Sequence, residues 1–120
     1  MTFMDMVMIG IGGFFGAVIR YLISEKLNNQ DGFPAGTLLV NLIGALLIGI
    51  TFGLALPLWA ILLLASGFAG ALTTFSTMNK ELLIMWRNGK KGNAIIYLML
   101  LYVTGIILAF IGYLVGSSVY

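Results

Sequence analysis

Residues 66–79 read SGFAGALTTFSTMN, in the middle of a long apolar stretch. Two glycines are followed by two β-branched threonines and further hydroxyls, which a straight helix facing lipid does not need. Such a segment is typical of a helix broken near the membrane midplane, where free backbone groups line a cavity. Free carbonyls before the break can hold a cation, and free amides after it favour an anion. The alternative is a continuous helix whose hydroxyls bond back to the i−4 carbonyl.

The composition of the 120-residue chain indicates a membrane protein. Hydrophobic residues make up 61% and charged residues only 8%, whereas soluble domains carry about 25% charged residues. Because the sequence contains no Cys and no His, it excludes disulfides, thiolate metal sites and the commonest general base. We find no plausible catalytic set and expect no enzyme. We also expect the lipid bilayer, and no nucleic acid, as a partner.

Four apolar stretches are long enough to cross the hydrocarbon core, which takes about 20 residues. We predict an all-α membrane protein, a single domain whose third transmembrane helix is broken near residues 70–74. The predicted spans are residues 6–24, 37–56, 58–86 and 94–115. A signal peptide is the other interpretation of the first span, but residues 1–14 lack a basic n-region and an obvious cleavage site.

The positive charges of the polar loops lie on one side of the predicted membrane. Four cations fall in the two loops: Lys26, Arg87, Lys90 and Lys91. The opposite side carries no Lys or Arg. By the positive-inside rule, we predict a multi-pass protein of the plasma membrane with both loops in the cytoplasm and both termini outside.

Glycine accounts for 16 of the 120 residues, roughly double the usual proportion. Three pairs on three spans have GxxxG spacing: Gly12 and Gly16, Gly49 and Gly53, and Gly112 and Gly116. Small residues let helix backbones approach closely in lipid, so we predict that these pairs lie at helix–helix contacts. The alternative is that the glycines are flexible and have no packing role.

The second span carries one strongly polar residue, Asn41, one turn after Thr37. An amide in hydrocarbon costs several kcal/mol unless it is hydrogen-bonded. Asn41 therefore either joins two helices or faces a polar path through the protein.

A resemblance to a known family rests on three motifs: GFFGAVIRY (13–21), PAGTLLVNLIG (34–44) and GFAGALTTFSTMNKE (67–81). Together and in this order they closely resemble the Fluc (CrcB) family of fluoride channels, over nearly the whole chain. The resemblance implies a passive, fluoride-selective channel that exports fluoride and protects the cell from its toxicity. It also implies antiparallel dimers with two narrow pores, each built from both subunits.

The resemblance also assigns roles to residues. Main-chain carbonyls of Gly70 and Thr73 would bind a structural sodium ion (Na⁺) at the dimer interface. The pore positions are Thr37, Asn41, Phe75, Ser76, Thr77, Met78, Tyr97 and Thr104, and Arg20 and Glu81 correspond to charged residues at the pore mouths. Fluoride is strongly hydrated, so amide and hydroxyl donors must replace its water shell, and the edge of an aromatic ring can also face an anion.

Two positions depart from the family pattern. Met78 stands where a second pore phenylalanine is expected. Leu101 stands where a serine is expected one turn after Tyr97, although Thr104 nearby could replace that hydroxyl. A non-conducting assembly partner of a fluoride channel is therefore an alternative. A small drug/proton antiporter is a less favoured one, because that chemistry needs a membrane carboxylate and the first span has no acidic residue after Asp5.

The charge asymmetry bears on assembly. One sequence in an antiparallel homodimer must insert both ways, so its Lys and Arg should be balanced across the membrane. Here the loop side carries four cations and the opposite side carries none, so the chain should instead insert in one orientation. We therefore favour a heterodimer with a homologous sister subunit of opposite orientation, and keep the homodimer as the alternative.

Overall fold

The computed structural model describes residues 2–27, 34–73 and 75–119, and the side chains of Phe75 and Ser76 lie outside the described part. Its helices are α1 (Phe3–Leu27), α2 (Ala35–Gly53), α3 (Leu58–Ile61), α4 (Gly70–Leu72), α5 (Phe75–Arg87), α6 (Lys91–Met99) and α7 (Gly105–Ser117). Two π-helical segments continue this path: Leu62–Ala69 joins α3 to α4, and Leu100–Thr104 joins α6 to α7.

Four helical stretches are long and apolar enough to cross a membrane, and we call them spans 1 to 4. They are Phe3–Leu27, Ala35–Gly53, Leu58–Arg87 and Lys91–Ser117. The prediction of an all-α membrane protein with four spans is therefore confirmed. The longest dimension of the molecule is 47 Å, close to the roughly 40–45 Å of a bilayer with its head groups.

Span 1 begins with a pair of reciprocal hydrogen bonds. The Thr2 N–H donates to Asp5 Oδ2 at 3.0 Å, and the Asp5 N–H donates to Thr2 Oγ1 at 3.2 Å. This capping box satisfies amides that the first turn of a helix leaves unpaired. The acidic residue at the edge of span 1 is therefore engaged in capping the helix, which does not favour a role for it in proton exchange.

Span 1 packs on the π-helical segment Leu62–Ala69 of span 3. A Cβ on Gly12 would collide with the carbonyl oxygen of Leu63, and a Cβ on Gly16 would collide with that of Phe68. Since backbone atoms cannot move aside as a side chain can, the absence of Cβ atoms is what lets the two helices approach so closely.

Span 2 packs mainly on α7 of span 4, and here two GxxxG pairs face each other. A Cβ on Gly49 would collide with the carbonyl oxygen of Ala109, and a Cβ on Gly112 would lie 2.5 Å from that of Leu46. The second glycine of each pair makes the same kind of contact. The predicted packing role of all three glycine pairs is confirmed.

The hairpin of α5 and α6 is closed by a Schellman motif. The Lys90 N–H donates to the Met85 carbonyl at 2.9 Å, and the Gly89 N–H donates to the Trp86 carbonyl at 3.3 Å. Gly89 has a φ of +80°, a conformation that glycine adopts without steric cost. The turn that carries the cations of the second loop is therefore fixed by backbone hydrogen bonds.

Span 3 changes its backbone conformation at Thr73. Helix α4 ends at Leu72, Thr73 is extended with φ −77° and ψ 157°, and α5 begins at Phe75. Residue 74 lies outside the described residues, so the detail of the predicted break near residues 70–74 stays a prediction.

Candidate functional site

A cavity of about 270 Å³ opens where spans 2, 3 and 4 meet. Its lining residues are Asn41, Ala45, Ile48, Thr73, Met78, Leu101 and Tyr102. Three predicted site residues, Asn41, Thr73 and Met78, are thus brought together. Because most of the lining is apolar, the half-buried amide of Asn41 is a principal polar contact for any small solute in this cavity. We call it the Asn41 cavity.

A group of three polar residues lies next to the start of α2. The Thr37 hydroxyl donates to Glu81 Oε1 at 2.6 Å, and Thr37 is fully buried. Tyr97 is fully buried as well, and it lies close enough to interact with both Thr37 and Glu81. A hydroxyl–carboxyl hydrogen bond this short is of the strong kind. Three more predicted site residues are therefore assembled into one cluster, the Thr37–Glu81–Tyr97 group.

An apolar cluster links this group to the cavity. Tyr97 packs with Met78, Met85, Ala94 and Leu101, and both Met78 and Leu101 also line the Asn41 cavity. Met78 and Leu101, which depart from the family pattern, therefore lie between the Thr37–Glu81–Tyr97 group and the Asn41 cavity. Each contributes an apolar surface there in place of an aromatic edge or a hydroxyl.

The remaining predicted residues lie elsewhere. Thr104 lines a separate apolar cavity of about 310 Å³ and is not among the residues that line the Asn41 cavity beside Leu101. The wider turn of the π-helical segment accounts for this, because it changes which face of span 4 each residue occupies. Thr77 is exposed and Arg20 is half-buried. Phe75 and Ser76 have side chains outside the described residues.

Tyr102 is a cavity residue that the sequence analysis did not select. It is half exposed and lines the Asn41 cavity one residue after Leu101. A phenol in a largely apolar span is a signal that could have drawn attention to it, since a buried or lipid-facing hydroxyl usually finds a polar partner. The shift of register in the π-helical segment gives no comparable signal in the sequence.

The Thr73 hydroxyl bonds back to carbonyl oxygens of its own helix at the end of α4. Thr73 Oγ1 donates to the Ala69 carbonyl at 3.0 Å and lies 3.5 Å from the Gly70 carbonyl. Within the described part of the chain, no three Cys, His, Asp or Glu side chains lie together as metal ligands. A cation at this place would therefore be held by backbone and hydroxyl oxygens, which suit a hard ion. Carbonyl oxygens are the ligand type that the family resemblance implies for sodium, and of the two implied carbonyls it is that of Gly70 which lies near the Thr73 hydroxyl.

Replacing Thr37 by Val should destabilise the protein, because Glu81 then loses the hydroxyl that donates to it. A hydrogen bond to a charged group contributes about 1.5–3 kcal/mol. Thr37→Ser keeps the hydroxyl and is the matched control. Unfolding in detergent measures the difference, and equal stability of the Val and Ser variants would contradict the assignment.

Comparison with known proteins adds to these observations. The family model described as CrcB-like protein, Camphor Resistance (CrcB), matches residues 7–113. The chain is 43% identical to Fluoride-specific ion channel FluC 1 of Geobacillus kaustophilus, over 90% of this chain and 94% of that protein. It is 40% identical to FluC 2 of Lactobacillus johnsonii, over 92% and 94% of the two chains. It is 36% identical to FluC of Methanocaldococcus jannaschii, over 97% of each.

Proposed function

The chain belongs to the CrcB family, and on this premise we propose that it is a subunit of a passive fluoride-selective channel that exports fluoride and protects the cell from its toxicity. The single observation that carries the proposal is the Asn41 cavity, with a hydrogen-bond donor in a mostly apolar lining where three spans meet. The names of the relatives support the choice of fluoride.

Donor groups of α2, together with the hydroxyl of Tyr97 on α6, fit the needs of a strongly hydrated anion. Asn41 offers two N–H donors, and the hydroxyls of Thr37 and Tyr97 offer one each. Thr37 and Asn41 are one turn apart, a rise of roughly 6 Å, so an ion could pass from one donor set to the next. Because the Thr37 hydroxyl donates to Glu81 in this structure, it must turn away from the carboxyl to serve fluoride.

Efflux from liposomes tests this function. The purified chain, alone and together with the proposed sister subunit, is reconstituted into liposomes loaded with equal fluoride and chloride, and efflux is followed with ion-selective electrodes. We expect fluoride to leave quickly while chloride stays inside. Equal efflux of the two ions would contradict the proposal, and no efflux of either would favour the non-conducting alternative, which the apolar Met78 and Leu101 in the cavity support.

A dimer is part of the proposal, because span 3 exposes polar side chains and backbone at depths where lipid would surround a single chain. The exposed residues of this kind are Ser66, Gly70, Thr77, Asn79 and Lys80. Polar groups facing hydrocarbon are costly. A second subunit that covers this face, antiparallel to the first, removes that cost and completes the pores.

We further propose that the partner is a homologous sister subunit and that both loops of this chain face the cytoplasm. The four loop cations are all exposed, as expected for residues that bias insertion. The absence of Cys from the sequence permits a clean test of orientation. Single variants Gly92→Cys, in the second loop region, and Ser118→Cys, near the C-terminus, are treated in intact cells with an impermeant thiol reagent.

Only Ser118→Cys should react from outside, and the chain expressed alone should give little fluoride flux until the sister subunit is added. Both positions are exposed, so reactivity reports their side of the membrane. Labelling of both variants from outside, together with robust flux from the single purified chain, would contradict the heterodimer and support a homodimer.

The structural sodium ion is proposed to lie at the subunit interface, held by main-chain carbonyls of Gly70 and Thr73 from each subunit. When bound, the ion supplies positive potential at the dimer centre. Gly70 is exposed, and among the described residues only the Ala65 carbonyl would lie within 4 Å of a Cβ there, at 3.6 Å. The chain itself therefore has room for a side chain at this position.

Gly70→Leu should consequently fold but fail to dimerise or retain sodium, because the added bulk lies where the second subunit is proposed to pack. Gly10→Leu is the matched control, since a Cβ on Gly10 meets nothing within 4 Å. Molar mass in detergent and sodium content of the purified protein measure the two effects. A Gly70→Leu protein that is dimeric and retains sodium as well as the control would count against an interface site.

A further inference from the structure

We propose that the loop end of the α5–α6 hairpin binds an anionic phospholipid, with its headgroup phosphate at the cationic turn of residues 87–91 and an acyl chain in the groove between the two helices. This inference rests on the hairpin alone and does not depend on fluoride conduction.

The groove provides the place for the acyl chain. It has a volume of about 440 Å³ and is lined by Leu82, Leu83 and Trp86 of α5 and by Ala94, Ile95 and Leu98 of α6, beside Asn79. This volume is within the usual range for pockets that hold small organic ligands. Its lining is almost entirely apolar, as an acyl chain requires.

The cationic turn lies at the end of this groove. Arg87, Lys90 and Lys91 are exposed within five residues, and the Schellman motif holds their backbone in one conformation. Lys91 Nζ lies 5.0 Å from the centre of the Trp86 ring, and Trp86 also lines the groove. The contact between Lys91 and Trp86 therefore places the cationic turn directly beside the apolar groove.

Charge and depth favour an anionic lipid as the occupant. Trp is enriched at the level of lipid head groups, so the pair of Trp86 and Lys91 places the turn where phosphates lie. Each Lys or Arg near a membrane surface strengthens the attraction to anionic lipid by roughly fivefold in affinity. A zwitterionic lipid could fill the groove equally well but would gain little from the turn.

Native mass spectrometry of the delipidated protein, in the oligomeric state in which it purifies, tests the proposal. The protein is offered equal amounts of phosphatidylglycerol and phosphatidylcholine with the same acyl chains. We expect phosphatidylglycerol adducts to predominate, and Arg87→Gln combined with Lys91→Gln to weaken their binding by roughly twenty-five-fold. Lys26→Gln neutralises a cation of the other loop and should leave the preference nearly unchanged.

A second pair of variants tests the groove. Ile95→Trp should fill it and weaken binding of both lipids, whereas Ile106→Trp adds the same bulk at a more exposed site of span 4 outside the groove and should not. Equal binding of the two lipids, or equal loss in Lys26→Gln, would overturn the proposal. Lipid binding that is unchanged in Ile95→Trp would also overturn it. Lipid adducts on the dissociated chain but not on the dimer would overturn it too, because the second subunit would then cover the groove.

Discussion

Fluoride flux should be lost when Asn41 is replaced by Asp, while the protein stays folded. The substitution keeps the size of the side chain but exchanges two N–H donors for a carboxylate in the Asn41 cavity. Two like charges about 4 Å apart repel each other by about 4 kcal/mol at an effective dielectric constant of 20. That penalty lowers the rate of passage by roughly a thousandfold.

Asn93→Asp makes the same chemical change in the exposed first turn of α6 and is the matched control. Fluoride efflux from liposomes measures conduction, and unfolding in detergent shows whether each variant is folded. Normal flux through folded Asn41→Asp would remove Asn41 from the ion path.

Gly112→Ala should cause a large loss of stability, although it adds a single methyl group. Its Cβ would lie 2.5 Å from the Leu46 carbonyl oxygen and 3.0 Å from the Ile50 nitrogen. Because these are backbone atoms, α2 and α7 must move apart to make room. Overpacking of this kind costs about 1–3 kcal/mol, and here it also disturbs the neighbouring glycine contacts.

Gly105→Ala is the internal control, because both glycines lie in α7 and a Cβ on Gly105 meets no atom of the described residues within 4 Å. Alanine favours a helix over glycine by roughly 0.5–1 kcal/mol, so this variant should be as stable as the parent protein or more stable. Unfolding in mixed micelles measures both. Equal stability of the Gly112→Ala and Gly105→Ala variants would contradict the close approach of α2 and α7.

The parts of the fold that follow from local composition could be predicted from the sequence. The number of spans follows from the lengths of the apolar stretches. The packing role of the glycine pairs follows from GxxxG spacing, because the spacing of Gly49 or Gly112 to its partner is visible within one helix. Asn41 was identified because an amide in a span requires an explanation. Each of these signals lies within one helix.

The parts that depend on register between helices could not be predicted from the residues alone. Thr37 and Glu81 are 44 positions apart, and only the packing of spans 2 and 3 brings their side chains together. The π-helical segment Leu100–Thr104 places Tyr102 in the Asn41 cavity and Thr104 in another, and no periodicity in an apolar span predicts such a segment. The sequence analysis treated Asp5 only as an acidic residue at the edge of span 1. Its capping hydrogen bond with Thr2 is local and could have been recognised from the sequence.

The central claim is passive, selective conduction of fluoride, and the reversal potential tests it most directly. The purified chain, alone and together with the proposed sister subunit, is placed in a planar bilayer with equal chloride on both sides and a tenfold gradient of fluoride. A channel selective for fluoride predicts a reversal potential close to the fluoride equilibrium value, about 59 mV in magnitude for a tenfold gradient of a monovalent ion. A reversal potential at zero, where chloride is balanced, would contradict the account.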